Sequence, residues 1–236
     1  MKKRIWELDA LRGLFILGVV VVHFVYDLVE LYQLVQWEYP PAFAFVMNWG
    51  GVLFFLISGI SATLGSRCIR RGLLVIGGGL IISAVTYGMY YFGFTGKSII
   101  IYFGVLHCLG CCMLLWPIFR KLPHWALALV GIGLVIFGFY VRELPRVDSY
   151  YLMPLGIPWK GFASSDYFPL LPYFGFFLAG SALGKSLYKN KETLLPKVNT
   201  QNIFIRFLLL CGKNSLWIYL LHQPLLNGIF FLITMN

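Results

Sequence analysis

Residues 9–31 read DALRGLFILGVVVVHFVYDLVEL. From Leu11 onward the stretch is long and apolar enough to cross a bilayer core, which takes about 20 helical residues. Yet it carries Arg12, His23, Asp27 and Glu30. Ionisable side chains in such a segment are costly and mark function by default. At about 100° per residue, Arg12 and His23 fall within roughly 20° of each other on one face, about 16 Å apart along the axis. Asp27, four residues after His23, lies on the same side. The reading is a membrane helix with a polar rail: a cation near one end, then an imidazole, then a carboxylate. The helix is expected to stay as a span and not be removed as a leader, because no small-residue cleavage site follows it.

The same apolar length recurs along the chain. The 236 residues are 59% hydrophobic and only 12% charged, with a mean hydropathy of +0.79; a soluble domain carries about twice that charge. Seven stretches are long enough to span, near 11–31, 42–64, 73–93, 98–118, 124–141, 167–187 and 214–234. The expected fold class is an all-α, polytopic transmembrane helical bundle, with 1–236 forming one membrane domain.

The net charge of +10 follows the loops and gives no reason to expect nucleic acid. Lys2, Lys3 and Arg4 precede span 1. Arg67, Arg70 and Arg71 separate spans 2 and 3, and Arg120 and Lys121 separate spans 4 and 5. Lys185, Lys189, Lys191, Lys197, Arg206 and Lys213 run from the end of span 6 to span 7. The alternate connections are less basic: Gln33–Pro41 has no Lys or Arg, Phe94–Lys97 has one Lys, and 142–166 is mixed. The positive-inside rule then places the N-terminus in the cytoplasm, the C-terminus outside, and the 142–166 loop outside as a lid or acceptor surface. Cys108, Cys111, Cys112 and Cys211 lie in or beside apolar spans, where free Cys packs as a small hydrophobe.

Local signals refine this layout. Ser165 or Asp166 suits the N-cap of span 6, with Pro169 in its first turn and Pro172 bending its outer end. Thr200–Cys211 reads as an amphipathic piece at the inner interface. No internal repeat is visible, which weakens a transporter reading built on inverted halves.

Candidate chemistry centres on the histidines. His124 sits at an interface, but His23, His107 and His222 lie inside spans 1, 4 and 7. Histidine is the usual general base because its pKa is near working pH. Asp27 could orient the His23 ring and stabilise its imidazolium, or it could mark the outer end of span 1 together with Glu30. Asp9 and Arg12 could form a self-neutralising i,i+3 pair, or Arg12 could face a phosphate that suits its fork. In span 7, Asn214 or Ser215 should cap the helix, Tyr219 and His222 share a face, and Pro224 frees the Leu220 carbonyl. No H-x-x-x-H spacing occurs, so no metal is expected.

These motifs together resemble a known family. Leu8-Asp9-Ala10-Leu11-Arg12-Gly13, His23-Phe24-Val25-Tyr26-Asp27-Leu28, Phe103-Gly104-Val105-Leu106-His107, Asp166-Tyr167-Phe168-Pro169-Leu170-Leu171-Pro172 and Tyr219-Leu220-Leu221-His222-Gln223-Pro224 resemble bacterial members of the heparan-α-glucosaminide N-acetyltransferase catalytic-domain family. The Arg12…His23 spacing is similar to that of the wider transmembrane acyltransferase superfamily. The resemblance implies transfer of an acyl group, acetyl first, from cytoplasmic acyl-CoA (acetyl-CoA) to an amine or hydroxyl of a sugar or glycan at the cell surface. It implies donor contacts from Arg12, Asp9, Tyr219 and Asn214, with His23, oriented by Asp27, as the base or relay and His107 and His222 completing the catalytic set. The implied setting is the cell membrane, with membrane lipid around the chain and a second copy in a homodimer. Animal lysosomal members carry Asn at the His23 position and a proposed acyl-accepting His in the next loop. Gln33–Pro41 has no His, so a covalent route here would need His23 or another imidazole. The rival function is a transporter or flippase with the histidines as a proton relay.

Overall fold

Every apolar stretch folds as a helix in the computed structural model, which describes residues 5–234. Lys2, Lys3 and Arg4, invoked above for topology, lie outside the described residues. The helices are α1 (Trp6–Tyr26), α2 (Pro41–Leu64), α3 (Cys68–Tyr91), α4 (Val105–Phe119), α5 (His124–Arg142), α6 (Leu170–Leu187), α7 (Ile203–Lys213) and α8 (Ser215–Thr234). A π-helical turn, Asp27–Leu31, continues α1. Among the described residues there is no named strand, only the isolated bridges Phe103↔Tyr167 and Val147↔Trp159. α1 with its π turn, α2, α3, α5 and α8 are each long and apolar enough to cross a membrane, and α4 is a shorter apolar helix. α3 leaves Leu73, Leu74, Leu80 and Ile81 exposed, as a helix bathed in lipid does. The protein is a polytopic helical membrane protein.

Two boundaries move for local reasons. The expected span at 98–118 becomes α-helical only at Val105, after a 3-10 turn at Lys97–Ile99. Ser98–Tyr102 is apolar enough to count towards a span, but its Ile99-Ile100-Ile101 run is β-branched, which lowers helix propensity. In α6, Leu171 is non-helical (φ −103°, ψ 122°), the bend expected at Pro172. Asp166 does not cap α6, whose N-cap is Pro169. It accepts a hydrogen bond from the Val105 amide at 3.0 Å, so it holds the first turn of α4.

Packing divides the chain into two compact units: the described residues up to Phe54 together with those from Lys191 onward, and Phe55–Asn190. In the first unit, α1 packs closely on α7. A methyl added at Gly13 would land on the Leu208 carbonyl, and one at Gly212 on the Asp9 carbonyl. Small residues of this kind drive helix association where no hydrophobic effect acts between helices. Gly13 of the Asp9–Gly13 motif is therefore an approach point between backbones. The buried Glu7 carboxylate accepts from Thr193 Oγ1 at 2.7 Å and from the Leu194 amide at 2.8 Å, tying the 191–195 segment to α1.

In the second unit, α5 lies on α6 with Gly131 against Gly175, and α3 lies on α4 with Gly72 against Gly110. Lys185 donates to the Arg120 and Leu122 carbonyls at 2.7 and 2.6 Å. One of the cations read as a topology signal thus also satisfies carbonyls left bare at the end of α4.

Candidate active site

The first unit gathers span-1 and span-7 residues along the line where α1 meets α8. His23 and His222 come together, ring centroids 4.9 Å apart and planes at 69°. His222 Nδ1 lies 2.6 Å from the Tyr219 carbonyl oxygen. A carbonyl only accepts, so this contact places the proton on Nδ1 and leaves Nε2 as a bare lone pair. That Nε2 is buried and meets no hydrogen-bonding group among the described residues. The Tyr219 ring stands 5.4 Å from the His222 ring. Buried polar atoms are satisfied in the great majority of native structures, so an orphan needs a reason.

Asp27 is fully buried, and its carboxylate turns to α8, not to His23. Gln223 Nε2 lies 3.0 Å from both of its oxygens. Separation by four residues permits a His23–Asp27 contact, but side-chain direction decides it. A neighbouring helix supplies the amide that the buried carboxylate needs. Since that amide nitrogen must face the carboxylate, Gln223 Oε1 points elsewhere, and it too is buried without a partner. The network continues one turn along α8: Asn227 Nδ2 donates to the Gln223 carbonyl at 3.0 Å, and Tyr32 Oη donates to Asn227 Oδ1 at 3.1 Å. Burial raises the Tyr32 phenol above its ordinary pKa, with the charge of Asp27 adding to the shift. Gln223, Asn227 and Tyr32 were not among the residues expected from sequence. The available signal was a polar i,i+4 pair, Gln223 and Asn227, in an otherwise apolar helix.

Near the other end of α1, Arg12 and Asp9 form the i,i+3 pair, Nη1 to Oδ1 at 2.7 Å, with Asp9 the more buried partner. Part of the Arg12 fork is thereby engaged within its own helix. Asn214 does not cap α8 with its side chain. It ends α7, and its Nδ2 donates to the Leu210 carbonyl at 2.9 Å.

His107 belongs to the second unit, and local backbone occupies its ring. Nδ1 accepts from the Gly104 amide at 3.2 Å, and Nε2 lies 3.4 Å from Ser83 Oγ, which itself donates to the Ile101 carbonyl at 2.6 Å. Both ring nitrogens are spent on holding the start of α4 against α3. A methyl at Gly79 would strike this ring. Among the described residues, no group of three or more His, Cys, Asp or Glu side chains is placed to hold a metal ion.

The family model described as "Heparan-alpha-glucosaminide N-acetyltransferase, catalytic" matches residues 4–224. The chain belongs to this family. The match takes in Asp9, Arg12, His23, Asp27, His107, His222 and Gln223, and ends before Asn227. Membership makes the chain one of a family of transmembrane acetyltransferases. No curated protein and no solved structure matches it.

Proposed function

We propose that the protein transfers an acetyl group from cytoplasmic acetyl-CoA to an amine or hydroxyl of a sugar on the far side of the cell membrane, with His222 and His23 as its acid–base pair. The observation that carries this reading is the bare, buried Nε2 of His222 beside the His23 ring. An amine or hydroxyl brings the hydrogen that such an atom lacks. Gln223 Oε1, an acceptor in want of a donor, suits a second N–H or O–H of the same sugar.

In this reading the acceptor donates its hydrogen to His222 Nε2. Its lone pair attacks the thioester carbonyl carbon while the proton passes to the imidazole. The tetrahedral intermediate then collapses, the C–S bond breaks, and the departing thiolate of CoA takes the proton back. The Tyr219 carbonyl fixes the working tautomer. His23 positions the ring and shares the proton in transit. Asp27 does not orient His23 directly; through Gln223 it fixes the register of α8 against α1. Arg12 would contact a donor phosphate through its guanidinium fork. His107 holds α4 in place, and Asn214 closes α7.

The test is turnover. Purified protein in sealed proteoliposomes is given acetyl-CoA and glucosamine on opposite faces of the membrane, and CoA release, N-acetylated sugar and sugar movement are followed. Production of CoA and N-acetylated sugar, in equal amounts, is expected. Intact acetyl-CoA with movement of the sugar across the bilayer would replace the transferase by a transporter.

A further inference from the structure

The end of α5 and the segment joining it to α6 border an open pocket of about 430 Å³ lined by Arg142, Arg146, Phe162, Ser164 and Tyr167, among others. That is within the size range of small-molecule sites. Two arginines and no Asp or Glu are among its lining residues. Among the described residues the ion pairs are Arg12–Asp9 and Lys160–Asp148, so neither Arg142 nor Arg146 is neutralised by a carboxylate. Arg142 is held in place. Its guanidinium lies over the Phe139 and Tyr173 rings at 5.6 and 5.5 Å and donates to Tyr173 Oη at 3.2 Å. Arg146 reaches the Phe162 carbonyl at 3.4 Å. Behind the pocket, aromatic rings brace one another: Phe162 stands 4.7 Å from Tyr167 and 4.6 Å from Trp159. Membrane topology accounts for a cation on a loop. It does not account for two arginines on the rim of one pocket beside a braced aromatic wall.

We infer that this pocket binds a sugar phosphate, a phosphate monoester carried on a ring. Two guanidinium groups match a monoester, whose charge near neutral pH is about −1.5 to −2, better than they match a single carboxylate. Arg forks also suit phosphate geometry. The apolar face of a sugar ring has Phe162 and Tyr167 to lie against, and the Ser164 hydroxyl, which donates to the Asp166 carbonyl at 2.9 Å, keeps its oxygen to accept from a ring hydroxyl. This site is built within the second unit alone and does not depend on the transferase assignment.

Calorimetry on the full chain in phosphatidylcholine nanodiscs tests it, with glucose 6-phosphate, glucose, glucuronate, inorganic phosphate and CoA as probes. Glucose 6-phosphate should bind at least tenfold tighter than glucose, glucuronate or inorganic phosphate. Arg146→Gln, at an exposed residue, should weaken it roughly ten- to hundredfold, the loss of one charge-assisted contact. Arg142→Lys keeps the charge without the fork and should weaken it less, with an unchanged melting temperature showing that the fold is intact. Equal binding of glucose and glucose 6-phosphate, or unchanged affinity in Arg146→Gln, overturns the inference. So does displacement of glucose 6-phosphate by CoA, which would assign the pocket to the donor. Loss of its binding when phosphatidylglycerol is added to the nanodisc would assign the pocket to a lipid headgroup and equally overturn it.

Discussion

At the scale of single residues, this protein separates side chains that look alike in sequence. His107 and His222 are both histidines in apolar helices, yet one spends both nitrogens on its surroundings and the other keeps one bare. His107→Ala should lower stability by about 0.5–2 kcal/mol, the usual cost of losing a helix cap, while transfer in the folded fraction persists. Thermal unfolding in detergent alongside activity per folded molecule checks this; full stability with lost transfer would return His107 to the chemistry. Gln223 gives the converse case. Gln223→Leu leaves the buried Asp27 carboxylate without its donor and should cost about 1–3 kcal/mol, whereas Asp27→Asn combined with Gln223→Leu should recover part of that loss. Absence of coupling in that cycle would show that the contact does not bear on stability. Sequence exposed Asp27 and His23 but not the direction either side chain takes. An i,i+4 spacing permits contact, and only the partner helix decides between His23 and Gln223.

At the scale of elements, the order and type of helices were legible because hydropathy and length alone set them. Expected span 42–64 is α2 at Pro41–Leu64, and expected span 124–141 is α5 at His124–Arg142. The start of α4 was not legible, because apolarity does not distinguish the non-helical 100–104 segment from a helix. Nor was the cap supplied by Asp166, whose partner lies 61 residues away. Helix approach is legible only as small residues, and not all small residues serve it. Gly13→Ala or Gly212→Ala would drive a methyl into a backbone carbonyl of the facing helix, and each should destabilise by about 1–3 kcal/mol. Gly18 has nothing near its added carbon, so Gly18→Ala should be neutral or stabilise by up to about 1 kcal/mol. Denaturant titrations of the three variants should separate them in that order; equal effects would mean that α1 and α7 do not meet as described.

At the scale of the whole molecule, the basic loops set an expectation for orientation in the membrane. In a variant lacking the five native cysteines, Ser149→Cys should react with an impermeant thiol reagent added to intact cells, and Lys189→Cys should react only after lysis. The reverse pattern would put the donor on the opposite side. The central claim is that one imidazole pair carries the proton. The direct measurement is the rate of acetyl transfer by folded His222→Ala, His23→Ala and His107→Ala, set beside their affinity for acetyl-CoA. His222→Ala should lose about 10²–10⁴-fold in rate, the worth of a general base, with donor affinity nearly unchanged; His23→Ala should fall by a smaller factor, and His107→Ala should keep its rate. Near-full transfer by His222→Ala would contradict the account.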